Sequence, residues 1–279
     1  MTEGGKTPGG EARVAGHFGE LVQGRLGAAG PVVVISLPCA ALWMRAEVRA
    51  GRQFHLAPQR VVSAARARRF LNDLGLALRC PVRLCTNMPV GGGAGSSTAA
   101  LVALARAAGW RGEAQTLAAA CLRSEGASDP LMFAGAGRMV WASRAGVVAG
   151  HLPPLPAFEV VGGFHGPGLR TQAGDDAFPD VADLIEAWVR AAGQGDLAAL
   201  ARIAATSAER TLALRAPGMP DPTAGLARAL GALGHLIAHT GSARGLIFAP
   251  GAVPPDAAAA LRAAGLRHVL RFRAGGAEA

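Results

Sequence analysis

The chain contains no tyrosine and a single lysine, Lys6, in 279 residues. That lysine stands in a small, polar opening segment, residues 2–10, which reads as a flexible lead-in rather than part of a site. A phosphate-loop lysine of the Walker type, a Schiff-base lysine and a lysine general base are thereby excluded. Aromatic residues make up only 5% of the chain, too few for the stacking platforms of a nucleic-acid binder. The net charge is +9, yet 27 of the 28 basic residues are arginines scattered along the sequence. With the excess of alanine and glycine they read as the imprint of GC-rich coding. The one dense group, Arg66, Arg68 and Arg69, reads as a solvated helix face, and no nucleic-acid partner is expected.

Cysteine is also scarce. Of Cys39, Cys80, Cys85 and Cys121, only the middle two are close, at a spacing that fits neither a zinc knuckle nor a disulfide framework. Reduced, mostly buried thiols and a soluble cytoplasmic protein are expected. Residues 1–12 lack an apolar targeting core and are expected to form a disordered tail. The uncharged stretch from Leu26 to Met44 is interrupted by Pro31 and Pro38, which forbids a membrane helix. His235 and His239 fall at i and i+4 of an expected helix, but Leu236 stands where a zinc protease carries glutamate, and no third ligand presents itself.

What is abundant is apolar surface and glycine: 51% hydrophobic residues, mean hydropathy +0.28 and 39 glycines. This suits one large domain or two of moderate size. Strands and turns are expected from Ala12 to Val48, with a turn at Gly19-Glu20 and a strand at Pro31–Ile35. Helical spacing covers Gln59–Leu76, followed by a strand at Val82–Thr86 and helices at Ser97–Ala108 and Glu113–Glu125. A hairpin is expected over Arg138–Ala149. The proline cluster at 151–156 is the best boundary. Beyond it the pattern gives a strand at Phe158–Val161, helices at Val181–Ala192, Asp196–Leu214 and Pro222–His239, and a strand at Gly245–Phe248. A helix at Pro255–Gly265 and a last strand at His268–Phe272 follow. Strands and helices mixed in both halves indicate an α+β protein.

The segment from Pro89 through Gly91, Gly92, Gly93, Ala94 and Gly95 to Ser96, Ser97 and Thr98 joins a strand to a helix. Glycines admit a phosphate close to the backbone. The amides and dipole of a helix N-terminus attract an anion. Hydroxyls at the helix start can cap it, donate to phosphate oxygens or ligate Mg²⁺. Three in a row exceed what capping requires. A Walker loop would need lysine where Gly95 stands, and a dinucleotide fingerprint would need glycine at Ser96.

This segment resembles the Pro-x-x-x-Gly-Leu-Gly-Ser-Ser-Ala-Ala motif of the GHMP small-molecule kinases, a family that includes galactokinase, homoserine kinase and mevalonate kinase. Two further segments resemble the L-threonine kinase branch associated with cobalamin synthesis: Gly19-Glu20-Leu21-Val22-Gln23-Gly24, and Ala238-His239-Thr240-Gly241-Ser242 running on to Gly245–Phe248. The resemblance covers residues 15 to about 250. It implies the GHMP kinase fold, with an N-terminal ribosomal protein S5 domain 2-like domain over residues 13–155 and a ferredoxin-like C-terminal domain over 156–279. It also implies ATP on the 89–98 loop and Mg²⁺ held by Ser97 and Glu125. The segment Ser124–Phe133 is similar to the branch's Glu-Pro-Thr-Asp-Ser-x-x-Phe, which gives Asp129 the place beside the acceptor hydroxyl. Glu125 then lies one residue further from Asp129 than in that pattern. Glu20, Gly241 and Ser242 are implied at the acceptor site. The sequence departs from the family in lacking a first-motif lysine and in carrying Ala15 where a proline is usual, and it assigns no role to His17 or His239. The activity implied is phosphorylation of L-threonine, a small hydroxy amino acid, to O-phospho-L-threonine for cobalamin. Another hydroxy substrate such as homoserine, or a non-catalytic nucleotide-binding regulator, are the alternatives. The oligomeric state stays open, a homodimer included.

Overall fold

The computed structural model describes residues 10–58, 60–168, 175, 177–239 and 241–276. Residues 1–9 of the expected tail, with Lys6, therefore lie outside the described residues, as do Gln59 and Thr240. The first half runs β1 (Glu11–Arg25), β2 (Val32–Val48), β3 (Leu56–Ala57), α1 (Ala64–Asp73), β4 (Val82–Thr86), α2 (Ser96–Ala107), α3 (Ala114–Glu125), β5 (Met139–Ala142) and β6 (Val147–His151). The second half runs β7 (Phe158–Phe164), α4 (Ala182–Gln194), α5 (Leu197–Arg215), α6 (Thr223–Ala229), β8 (Gly234–Ile237), β9 (Ala243–Phe248), α7 (Ala257–Ala263) and β10 (Arg267–Ala274). The expected α+β mixture is what is found. The first strand begins at Glu11, two residues inside the segment read as tail.

One sheet links both halves in the order β10-β7-β9-β8-β1-β2-β4-β3, with β5 and β6 branching from β2. The join is narrow: β1 meets β8 through Glu20 and Ile237. Apolar packing reinforces it, since the ring of Phe18 on β1 stands edge-on to Phe164 of β7 at 5.6 Å and Phe272 of β10 at 5.5 Å. Such pairs add about 0.5–1.5 kcal/mol beyond their burial. Among the described residues no helix is long and apolar enough to cross a membrane. Leu26–Met44 mostly forms β2.

Two sequence expectations fail here for identifiable reasons. Pro222–His239 is not one helix. It breaks after α6, and Gly234–Ile237 becomes β8, buried and paired on both sides with β1 and β9. A short apolar run is ambiguous by periodicity alone, and open hydrogen-bonding positions between two strands decide it. His235 and His239 consequently do not share a helix face. Gly19-Glu20 is not a turn either, but a bulge within β1: its register against β2 shifts between His17 and Glu20 and again before Val22.

Helix α2 is buried almost all round, from Thr98 to Ala105 and at Ala107. It packs on β1 and β2 on one side and on α1 and α3 on the other. A helix apolar on every side belongs inside the protein, and its many alanines allow the close approach. Burial of Leu101 and Leu104 contributes about 1.5–3 kcal/mol each. This fixes the N-terminus of α2, and with it the glycine loop.

Candidate active site

A cavity of about 270 Å³ opens where the glycine loop, β1, the turn after α3 and the β5–β6 connection meet. That is near the lower end of pocket sizes for small molecules, about 300–1,000 Å³. Gly91 and Gly93 to Thr98 line it. Pro89 and Gly92 do not: the Gly92 amide donates to the Pro89 carbonyl at 3.1 Å, and the Gly92 carbonyl accepts from the Ser242 and Ala243 amides at 3.2 and 3.0 Å. Gly241 and Ser242, expected at the acceptor, instead pack behind the loop. A Cβ at Gly241 would stand 2.5 Å from the Gly93 nitrogen. Their position supports the loop rather than the cavity wall.

Gly95 begins α2 in the left-handed conformation (φ +71°), and no side chain caps the helix. The Ser97 and Thr98 hydroxyls are engaged elsewhere. Ser97 Oγ donates to Glu125 Oε1, and Thr98 Oγ1 donates to Glu125 Oε2 at 2.9 Å. Thr98 Oγ1 also accepts from the Asp129 amide at 3.3 Å. Glu125 ends α3, and its preceding carbonyl, that of Ser124, accepts from Arg66 Nε and Nη2 at 3.0 and 2.8 Å. Arg66 is therefore not on a solvated face; it closes the C-terminus of α3, where a cation is favoured. Burial pushes Glu125 up to about 7, against the two hydroxyl hydrogen bonds.

Asp129 sits in the turn beyond α3, which is anchored from below. The fully buried Trp141 donates from Nε1 to the Ser128 carbonyl at 2.5 Å, and the Ser128 amide donates to the Ser143 carbonyl at 2.9 Å. Its carboxylate reaches the cavity, where His17 Nε2 lies 3.5 Å from Oδ2. The other ring nitrogen of His17, Nδ1, lies 3.5 Å from Glu20 Oε1 and 3.3 Å from the Gly19 carbonyl. Burial works against charge on His17, but Asp129 and Glu20 outweigh it and carry its pKa up to about 9. In turn, burial acts to raise Asp129, and the His17 imidazolium outweighs it, holding Asp129 below the usual carboxylate range. Burial brings Glu20 up to about 7, tempered by His17.

The bulge explains why both His17 and Glu20 face this cavity. Residues three apart on a regular strand point to opposite faces. Gly19 adopts φ +69°, the extra residue turns the strand, and both side chains arrive on one side. His17, Glu20 and Asp129 bring ligand atoms within 4.8 Å of one another.

The far wall carries residues to which the sequence assigned no role. His239 stacks on Phe178 (4.5 Å, 1° between planes), donates its amide to Glu20 Oε2 at 2.6 Å, and has Nδ1 at 3.1 Å from Gln23 Oε1. Burial, with Arg215 and Arg144 nearby, lowers it to about 3, so it is neutral. Arg144 lines the cavity with its guanidinium 5.3 Å over the Phe178 ring. Its place in the β5–β6 connection was legible as a hairpin turn, but nothing local marked it as facing a site.

No protein-family model and no curated protein sequence matches the chain. Solved structures do match along nearly its whole length. A mevalonate kinase from methicillin-resistant Staphylococcus aureus is 17% identical, with 96% of this chain and 99% of that one aligned at a TM-score of 0.60. A homoserine kinase from Cytophaga hutchinsonii is 14% identical (98% and 97% aligned, TM-score 0.59). The Methanococcus jannaschii mevalonate kinase is 9% identical (98% and 100% aligned, TM-score 0.68). At such identities the likeness establishes the fold: this chain has the GHMP kinase fold.

Proposed function

We propose that the protein is an ATP- and Mg²⁺-dependent kinase that phosphorylates the hydroxyl of L-threonine, giving O-phospho-L-threonine and ADP. The observation that carries this is the meeting, in one cavity, of uncapped α2 amides, an oxygen set at Ser97 and Glu125, and an ionised carboxylate at Asp129. Phosphoryl transfer needs charge neutralised on the phosphates, the hydroxyl held in line, and a place for its proton. The amides from Gly93 to Thr98 bind the phosphate chain. Ser97 and Glu125 hold the metal, which suits a hard cation because the donors are all oxygen; when bound, it neutralises phosphate charge. Asp129 orients the acceptor hydroxyl and takes its proton as the new O–P bond forms and the bond to ADP breaks.

The acceptor's character is supported by the two signs of charge in the cavity. Glu20 and Asp129 suit an ammonium and a hydroxyl, and Arg144 suits a carboxylate. The choice of threonine over homoserine follows from the resemblance of Gly19–Gly24 and Ala238–Ser242 to the threonine-kinase branch. In this reading residues 13–155 and 156–279 are the two kinase domains. A screen of ADP release across hydroxy amino acids and sugars tests it. A kcat/KM for homoserine at or above that for threonine overturns the branch and spares the kinase. Absence of turnover with every acceptor, alongside retained ATP binding, favours the nucleotide-binding regulator.

Two expected outcomes follow from this assignment. Glu125→Gln raises the Mg²⁺ concentration needed for half-maximal rate, and added metal recovers part of the loss; a wild-type Mg²⁺ titration in that variant removes Glu125 from the metal set. Arg144→Ala raises the acceptor KM about tenfold or more while the ATP KM stays within about twofold, since a hydrogen bond to a charged group is worth about 1.5–3 kcal/mol. An unchanged acceptor KM takes the carboxylate away from Arg144.

A further inference from the structure

We propose that His17 is a positioning residue: bridging Glu20 and Asp129 as a charged imidazolium, it keeps the Asp129 carboxylate ionised and aimed at the acceptor hydroxyl. The role rests on the kinase reading above; the bridge itself does not.

The geometry carries it. Each ring nitrogen faces a different carboxylate, both at 3.5 Å. A neutral imidazole has one N–H and one lone pair, so with both acids ionised it leaves one of them facing a lone pair; only the doubly protonated ring donates toward Asp129 from Nε2 and toward Glu20 and the Gly19 carbonyl from Nδ1. The ring cannot drift, because it is buried and clamped. Its backbone amide donates to the Ala94 carbonyl at 3.2 Å. The Gly95 Cα presses against its edge so closely that an added Cβ would stand 2.7 Å from Cδ2. The glycine loop and the acid that faces it are thus joined through one side chain. Among the described residues His17 is the cationic side chain in contact with Asp129.

Other charges act on this pair from each neighbouring element. Glu125 on α3 repels Asp129, Arg66 on α1 faces Glu125, and His239 after β8 is neutral with Arg144 and Arg215 beside it. Among the described residues, the positive charge in contact with Asp129 is that of His17. Without His17, burial and the neighbouring acids raise the Asp129 pKa, so more of it is protonated at neutral pH. The sign of the effect on rate follows. Activity in His17→Asn falls most at low pH and returns as the pH rises and Asp129 ionises. A purely structural role gives a loss that pH does not restore. Stability shows the complementary sign. A histidine raised above its unfolded value contributes fully below about pH 6.5 and loses that contribution as the pH rises through about 9.

The test has two independent arms. Nitrogen-15 NMR of the histidine rings in the wild-type protein is expected to show one imidazolium that stays protonated beyond pH 8 and titrates at lower pH in Asp129→Asn. Every ring titrating near or below 6.5 overturns the bridge, whatever the enzyme's activity. In the second arm, pH–rate profiles of ADP release are compared for wild type, His17→Asn and the cationic variant His17→Lys. The expected result is an acidic limb moved up by at least one pH unit in His17→Asn, at least tenfold loss at pH 6, recovery toward pH 9, and rescue of the limb by lysine. A His17→Asn profile parallel to wild type overturns the positioning role. An alkaline-titrating histidine in a protein that phosphorylates no acceptor supports the bridge and overturns the kinase reading alone.

Discussion

Asp129→Asn lowers kcat by at least about tenfold while leaving ATP affinity within about twofold. Positioned acid–base groups contribute about 10²–10⁴-fold in general, but here the base is held below the usual carboxylate range by its burial-opposing contact with His17. A weak base removes a proton only late, and a loose phosphoryl-transfer transition state needs little help of that kind. Most of the loss therefore comes from orientation and charge at the acceptor hydroxyl, which places the expected effect toward the lower end. Asparagine keeps the shape but cannot take the proton. It also leaves His17 facing one carboxylate in place of two. ATP binding is spared because the loop amides and the Ser97–Glu125 pair, rather than Asp129, are assigned the phosphates and the metal. Steady-state kinetics with calorimetric ATP titration measures both quantities. A wild-type kcat makes Asp129 a turn residue held by Thr98 and nothing more.

Gly95→Val abolishes tight nucleotide binding, with at least a tenfold loss of ATP affinity, and lowers the melting temperature as well. The left-handed conformation costs an L-residue about 1–2 kcal/mol, and a β-branched side chain more. Here the strain is joined by collision: the new Cβ would meet His17 Cδ2 at 2.7 Å, His17 Nε2 at 2.9 Å and Leu131 Cδ1 at 2.9 Å. These neighbours are packed, so the loop gives way, and the first amides of α2 lose their common aim. Gly109→Ala separates the two causes. Gly109 also has positive φ (+96°), at the far end of α2, but an added Cβ there meets nothing within 4 Å. It shares the conformational cost without the collision, so stability falls and ATP affinity holds. Equal ATP affinity in Gly95→Val and wild type, measured by calorimetry on protein shown to be folded by circular dichroism, rules out the phosphate-cradle assignment.

The residues that do local work were legible in the sequence. Glycines with hydroxyls between a strand and a helix specify a loop and an open helix N-terminus through backbone freedom alone, and the loop and α2 form within one residue of where they were read. Patterning gave α3 with its end at Glu125, the β5–β6 hairpin and the α4–α5 pair, because burial periodicity and capping act over a few residues. Three features depended on contacts that no short window contains. Which face His17 and Glu20 present was set by a bulge whose register only β2 and β8 define. Whether Gly234–Ile237 was helix or strand was set by two neighbouring strands with unpaired hydrogen-bonding groups. The electrostatic state of the cavity was set last, by pairs far apart in the chain: Ser97 with Glu125, His17 with Asp129, and Glu20 with the amide of His239, 219 residues away. Charge and desolvation depend on what surrounds a group in space, so the sequence by itself determined which chemistry the chain could carry, and the tertiary structure decided which of its acids is ionised and where it points.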